Sequence, residues 1–415
     1  MTNVIILGGG FGGMTVYHQL SPWIQEAGVA VTVVDERESF LVKPSLPEVA
    51  LGLKQVEGAT FPMREVVERH GRFINSRVLQ IDPVRNKVEI EGAWLNYDFL
   101  VIAMGAFHDF SAVPGFNDFG YSMCTDALAP RLHAALEDFS GGSIFVGSAP
   151  TPSGTRLPDV PKLATACEGP VGEIAFMSDH LLRKKGIREK SLITCYTPGA
   201  VFFDDVGDNV HRAFGELAAK QDVQVLTNKT IERIERDRVH FADGTSAASA
   251  LTVMVPTYRG PQVVVDAGLG DEAGFIPTDE NFRHLDFPNI YAVGDIASRS
   301  EPKIGHLAVD QGIRVASVLR QAITGEGAIA PYEPEVFCIM NMGSTALIIR
   351  SNVLWGGTMD VSYHGRLSHA VKTAFDAYTV RFKGKMPPDI TTDLFNTYLD
   401  KVGAAEGPQK PLWNF

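Results

Sequence analysis

Cysteine is scarce in this chain of 415 residues: Cys124, Cys167, Cys195 and Cys338 are the full set. Four thiols cannot staple a fold of this size, so its cores must come from apolar burial. None of them forms C-x-x-C, a zinc-type cluster or the C-x-x-C-H of haem attachment, and no metal is expected. Basic residues are outnumbered, 37 Lys and Arg against 49 Asp and Glu, and the net charge of −12 argues against a nucleic-acid partner. No apolar run approaches the ~18 residues that cross a bilayer. The first residues read directly as a strand, so no signal peptide is expected. These absences point to cytoplasmic synthesis and leave peripheral attachment to a membrane face open. What remains is 45% hydrophobic with 40 glycines, a globular composition long enough for two or three domains.

Glycine carries the first motif. Asn3 to Leu7 reads as an apolar strand, followed by Gly8-Gly9-Gly10-Phe11-Gly12-Gly13 and a helical pattern from Met14 to Leu20. Gly8, Gly10 and Gly13 fall on G-x-G-x-x-G, a turn that brings a pyrophosphate to a helix N-terminus. A second strand, Val29 to Val34, ends in Asp35, placed to accept hydrogen bonds from an adenosine ribose. Strand, glycines, helix, strand and acid stand in the order a dinucleotide needs.

Two distant segments decide which dinucleotide. Tyr97 to Gly105 is an apolar strand entering a small-residue turn, with Met104 where threonine is usual in two-dinucleotide flavoproteins. Asn289 to Asp295 resembles the second FAD motif of those proteins, with Gly294 and Asp295 at the strand end. FAD is the expected cofactor.

The stretch Cys167-Glu168-Gly169-Pro170-Val171-Gly172-Glu173 reads as a second fingerprint whose first glycine has become cysteine. It follows a strand, Ser143 to Val146, then Gly147 and a Pro/Ser/Gly-rich excursion from Ser148 to Pro161. The next strand, Ser191 to Cys195, runs into Tyr196-Thr197-Pro198 with no carboxylate for a nicotinamide ribose. Both halves of NAD recognition are degraded, while the fold itself can persist. A thiol at a helix N-terminus faces unpaired N–H groups, so Cys167 is expected to have a lowered pKa.

On these motifs the chain resembles the sulfide:quinone oxidoreductases, flavoproteins related to type II NADH dehydrogenases. Phe40 to Pro47 with Ala50 and Gly52, the C-x-G-P-x-x-E from Cys167 to Glu173, Pro302-Lys303-Ile304-Gly305 with Gln311, and Cys338 with Cys124 all match family segments. The resemblance implies that sulfide attacks a bridge between Cys167 and Cys338 and that FAD passes the electrons to a membrane quinone. It implies that Cys124 binds flavin or shuttles sulfur, and that Lys43, Pro44, Val78, Gly105 and Lys303 join the cofactor site. Cys195 matches no family position and is expected to be packing. Histidines that members often carry after the first cysteine and after Thr-Pro are absent, so proton handling is expected at Glu173, with Glu168 next. Lys303 either offsets charge on reduced flavin or is a solvated surface lysine, and His306 is expected to be structural.

Beyond Ala330 the nucleotide pattern ends. Thr345–Ile349 and Val353–Trp355 look strand-like. Leu367, Ala370, Val371, Ala374, Phe375, Tyr378 and Phe382 then recur at helical spacing. Arg366, Lys372, Arg381, Lys383 and Lys385 stand among them with one acid, Asp376, and Leu394, Phe395, Tyr398 and Leu399 form a second apolar face. A basic amphipathic helix predicts monotopic binding to an anionic membrane surface, with quinone entering between Phe337 and Phe375 or Tyr378.

The expected fold class is α/β, with two Rossmann-like doubly wound domains. An FAD domain at 1–115 and 275–330 is split by an inserted, degenerate NAD-type domain at 116–274. A hairpin from Thr230 to Gly244 turns at Ala242-Asp243-Gly244-Thr245, and 331–415 is a C-terminal quinone- and membrane-binding region. A homo-oligomer stays open. The rival functions are an NADH:quinone oxidoreductase, the flavin subunit of a flavocytochrome and a redox-sensing membrane flavoprotein.

Overall fold

A computed structural model describes residues 1–22, 24 and 28–386. The second apolar face expected at Leu394 to Leu399 lies outside the described residues.

The chain opens with β1 (Thr2–Leu7), α1 (Phe11–Leu20), β2 (Val29–Asp35), β3 (Arg72–Asn75) and β4 (Phe99–Ile102). It then builds β5 (Gly120–Tyr121), β6 (Gly142–Ser148), α2 (Gly169–Lys184), β7 (Ser191–Tyr196), β8 (Val223–Leu226) and β9 (Leu251–Val255). It returns with β10 (Ile290–Ala292) and α3 (Gly305–Thr324). It closes on β11 (Val336–Asn341), β12 (Ala346–Ser351), β13 (Asp360–Gly365) and α4 (Arg366–Arg381).

Two parallel sheets result, ordered β10-β4-β1-β2-β3 and β5-β9-β6-β7-β8. Both faces of such a sheet are covered, which is why β1, β4 and β9 are nearly continuous runs of apolar residues. Late β10 pairs with early β4, so the first unit is split in sequence by the second. An antiparallel pair, Phe107–Asp109 with Thr257–Arg259, joins the units where the chain leaves and returns. In the first unit α3 packs on α1 through glycine: a Cβ on Gly312 would lie 3.0 Å from the Gly12 carbonyl oxygen. That close approach holds the N-terminus of α3 beside the glycine turn.

The antiparallel sheet β11-β12-β13 is a third unit, covered by α4. Strand alternation sorts β11 by face. Val336, Cys338 and Met340 join the core of the inserted unit, whereas Phe337 and Ile339 pack with Ile348, Tyr363 and Val371 of α4.

Two local expectations need correction. The segment from Ile231 is a three-stranded meander that turns first at Arg236-Asp237. Asp243-Gly244 makes its second turn, because Ser246–Ala248 pairs back on Arg238–His240. Val353–Trp355 is a turn of 3-10 helix, since Gly356 stops the chain in a left-handed conformation.

Candidate active site

The first crevice is built by the glycine turn. Gly8 has φ +99°, and a side chain there would collide with the Ala103 backbone. A Cβ on Gly10, the residue preceding α1, meets nothing within 4 Å, so the turn faces open space at the helix N-terminus. Gly13 abuts the Gly8 carbonyl and closes the turn. The Asp35 carboxylate accepts the Gly9 N–H at 2.6 Å and the Arg37 N–H at 2.7 Å, which aligns strand end and glycine loop. Beyond it an open cavity of about 560 Å³ is lined by Glu36, Arg37, Asn75, Ser76, Arg77 and Glu91. Val78 begins the strand that follows this wall. On the far side Gly105 and Gly294 take positive φ, and the Gly294 N–H donates to Gln311 Oε1 at 2.7 Å. Half-buried Asp295 follows at the start of the turn. Lys43 and Pro44 form a short 3-10 turn whose lysine is exposed. An open pyrophosphate turn, a ribose acid and a roomy end cavity fit FAD.

Two thiols meet across this crevice. A Cβ on Gly169, the first residue of α2, would lie 3.2 Å from Cys338 Sγ and 3.9 Å from Cys167 Sγ. A Cβ there would crowd the Cys338 sulfur by a few tenths of an ångström and merely touch that of Cys167, and both are free, half-buried thiols. Burial pushes the Cys167 thiol well up, and Cys338 and Asp205 add to the effect. Cys338 is pushed up to about 12 by burial, then by Glu173. The lowered thiol expected from the helix end is therefore overturned. Cys167 stands two residues ahead of α2, and the Gly169 N–H that favours its thiolate loses to desolvation. Cys124 is half-buried and pushed up to about 11 by burial, while Cys195, on β7, packs in the core of the inserted unit.

The profile of the pyridine nucleotide-disulphide oxidoreductase family matches residues 2–149 and 197–312. The chain belongs to that family. The sulfide-quinone reductase of Aquifex aeolicus is 26% identical over 403 residues, covering 91% of this chain and 90% of that one. The X-ray structure of the Aquifex aeolicus sulfide:quinone oxidoreductase superposes with a TM-score of 0.86 over 96% of both chains at 24% identity. A type II NADH:quinone oxidoreductase of Staphylococcus aureus is 22% identical, over 78% of this chain and 83% of that one.

In the inserted unit of this pyridine nucleotide-disulphide oxidoreductase, β7 ends in a tyrosine that packs with Phe145 and Phe241. Tyr196 is fully buried, and its ring lies where a Cβ on the adjacent Gly147 would point. The excursion after β6 straps across to the first unit, where Arg156 pairs with Asp286 at 2.9 Å and Asp159 with Arg299 at 2.8 Å, and within its own unit Thr155 Oγ1 donates to Glu272 at 2.7 Å.

Three acids around the thiols hold protons in the neutral range. Glu173 is buried and pushed up to about 7 by desolvation, against the pull of Lys372. Its Oε1 accepts the Asn341 N–H at 3.0 Å, three residues past Cys338. Glu168 is pushed up to about 8 by burial, although its Oε2 accepts the Phe203 N–H at 2.6 Å. Phe203 sits at φ +62° to make that bond. Asp205, pushed up to about 7 by burial, stands in the segment where a histidine was absent, and its charge opposes ionisation of both thiols.

Sequence reasoning missed a further network beneath Glu173. Asn341 Nδ2 donates to Glu48 Oε1 at 3.0 Å, and Lys54 Nζ bridges Glu48 and Asp376 at 2.8 and 3.2 Å. Lys372 Nζ donates to the Pro44 carbonyl at 2.7 Å and lies 3.5 Å from Asp376 Oδ1. Lys372 was expected on the basic outer face; it is buried, because α4 turns Ser368, Lys372, Asp376 and Thr379 inward. Leu367 on that helix is 41% exposed and Phe382, just past its end, 50%, whereas Val371 packs inward on Ile348 and Tyr363. Lys303 is not a solvated lysine either. It is buried, donates to the Ala297 carbonyl at 3.0 Å and pairs with Glu301 at 3.2 Å, with its ammonium 4.0 Å from the Phe275 ring centre. Its backbone N–H reaches the Ala166 carbonyl, which ties the segment to the Cys167 loop.

Proposed function

We infer that this protein oxidises sulfide and passes the electrons through FAD to a quinone. The observation that carries the reading is the convergence of Cys167 and Cys338 on Gly169. Two cysteines 171 positions apart in sequence arrive at one helix start beside a dinucleotide crevice. The relative that covers nine-tenths of this chain is a sulfide-quinone reductase.

When the two thiols are oxidised to a bridge, hydrosulfide forms a bond to one sulfur and the bridging S–S bond breaks. The products are a persulfide on one cysteine and a thiolate on the other. Glu173, neutral below pH about 7 and ionised above it, takes the proton that the incoming sulfur loses. The freed thiolate stands where burial makes charge costly, which favours loss of its electrons. FAD, when bound, supplies the two-electron acceptor between thiols and quinone. Gly8, Gly10, Gly13 and Asp35 would hold its adenosine and pyrophosphate, with Val78, Gly105, Gly294 and Asp295 along it and Lys43, Pro44 and Lys303 near the ring. Cys124, whose charge Cys167 also feels, is placed for sulfur transfer or flavin attachment.

The electron acceptor enters on the other face of β11. Phe337 and Ile339 line that face with Val371 of α4, and exposed Leu367 on that helix with Phe382 just past its end suit a lipid surface. None of the described helices is long and apolar enough to cross a membrane, which supports attachment from one side.

Anaerobic titration of the FAD-loaded protein with sulfide and with NADH tests the reading. Sulfide should bleach the flavin and support decylubiquinone reduction, and NADH should do neither at the same concentration. Efficient NADH turnover without a sulfide response would sink it.

A further inference from the structure

The residue expected to be merely structural, His306, stands at the head of a charged cluster on the face of β11 away from the thiols. It occupies the first turn of α3, and its ring centre lies 5.4 Å from that of Phe337. Its Nε2 faces two carboxylates, Asp310 Oδ2 at 3.3 Å one helical turn on and Glu335 Oε1 at 3.7 Å. Glu335 Oε2 accepts from the Arg350 guanidinium at 2.7 Å. Arg350 stands directly opposite Phe337 in the β11–β12 register, and Glu335 precedes Phe337 by two residues. Strand alternation therefore gathers Glu335, Phe337 and Arg350 on one side, with His306 and Asp310 of α3 closing over them. Cys338 points the other way. The cluster runs from a nearly buried arginine outward to His306 and Asp310, whose side chains keep 27% and 29% of their surface open.

We propose that His306, flanked by Asp310 and Glu335, delivers a proton to the quinone bound against Phe337. This rests on the quinone reading above and goes beyond it. A quinone needs two electrons and two protons to become a quinol. FAD, when bound, would supply the two electrons, and the protein must bring a proton to the quinone oxygen that faces away from it. Imidazole suits the task because its charge changes near neutral pH. The imidazolium gives its proton to a quinone oxygen, becomes neutral, and regains a proton from solvent past the two carboxylates. Arg350 pairs with the other oxygen of Glu335 at 2.7 Å, and burial raises the Asp310 carboxyl above its ordinary value. The groups facing His306 are thus Asp310 from its own helix and Glu335 from the β11 approach, with Arg350 of β12 behind Glu335. The thiol-side acids Glu173 and Glu168 are not among its partners.

The test separates this step from sulfide chemistry. Holoenzyme is reduced with dithionite, mixed in stopped flow with decylubiquinone or with ferricyanide, and reoxidation is followed by flavin absorbance between pH 5.5 and 9. In wild type the quinone rate should fall as pH rises through the imidazole titration, and the ferricyanide rate, which needs no proton, should not follow it. His306→Gln keeps a hydrogen-bonding group near Asp310 but cannot carry the charge. It should slow quinone reoxidation by ~100-fold at pH 6 and flatten its pH profile, with ferricyanide reoxidation retained as evidence of an intact flavin site. Glu335→Gln, which replaces the carboxylate 3.7 Å from the ring, should slow quinone reoxidation and leave the ferricyanide rate in place. A His306→Gln enzyme with the wild-type quinone rate and pH profile overturns the proposal. Failure of the wild-type reduced enzyme to be reoxidised by quinone at any pH overturns the quinone reading, and this proposal with it.

Discussion

At the scale of single residues the site depends on what Gly169 omits. Any side chain there would press on Cys338 Sγ, so the one residue without a Cβ sets how close the sulfurs come. Cys167→Ala and Cys338→Ala should each lower sulfide-dependent quinone reduction by ~100-fold or more while FAD stays bound. The double variant should be little worse, since residues acting as one unit lose function together. Cys195→Ala should stay near wild type because its thiol only packs. Steady-state rates with sulfide and decylubiquinone decide this, and a Cys338→Ala enzyme at full rate would break the pairing. Glu168 makes a separate claim on stability. Its carboxyl titrates at about 8 in the folded protein against an ordinary value of 4.5. The folded state therefore holds a proton that the unfolded chain has lost across that window, and stability falls as pH rises through it. Glu168→Gln should match wild type in Tm near pH 4.5 and gain on it steadily to a plateau above pH 8. A Tm difference that stays constant with pH would contradict the buried, proton-holding acid.

At the scale of elements, α4 buries the polar residues Ser368, Lys372, Asp376 and Thr379 and leaves Leu367 exposed. The inward charges are met by Lys54, Ser45 and the Pro44 carbonyl, so burying them leaves no bare ion. Leu367 and, just past the helix end, Phe382 stay exposed, a feature that a membrane surface would cover. Replacing Leu367, Phe375 and Phe382 together with Ser should abolish flotation with anionic liposomes even at low salt. The remaining Arg366, Arg381 and Lys385 act through a screened field of ~10 Å range and hold weakly. Flotation equal to wild type would make the stripe a subunit interface and end the membrane reading. The same strand logic explains β11, where a period of two sends Cys338 to the core of the inserted unit and Phe337 to the opposite face.

At the scale of the whole molecule, three units share one buried ionic network that joins Glu48 of the first, Glu173 of the second and Lys372 of the third. The C-terminal unit is therefore no detachable anchor. Deleting residues 365–415 should lower Tm and FAD retention, because Glu48 and Glu173 lose their lysine, whereas the Ser triple variant should change Tm little. Thermal melts of the two, read by flavin fluorescence, separate structural support from membrane docking; equal melting of the truncated and full chains would refute the shared network. What the sequence determined by itself was everything carried by local order. The glycine turns, the apolar parallel strands, the acid Asp35 at a strand end, the cysteine in the second glycine motif and the helical spacing of α4 could all be read within windows of a few dozen residues. Their physics is short-ranged: backbone sterics, strand and helix periods, and which residues follow which. The tertiary structure alone decided the signs and partners of the charges. Cys167 looked activated from its place before a helix, yet desolvation from several units outweighs one helix end. Lys372 looked like a surface cation, and His306 had no visible partner until Glu335 arrived from 29 residues away. Burial and charge pairing sum over neighbours that the chain brings together from far apart, so no local window contains them.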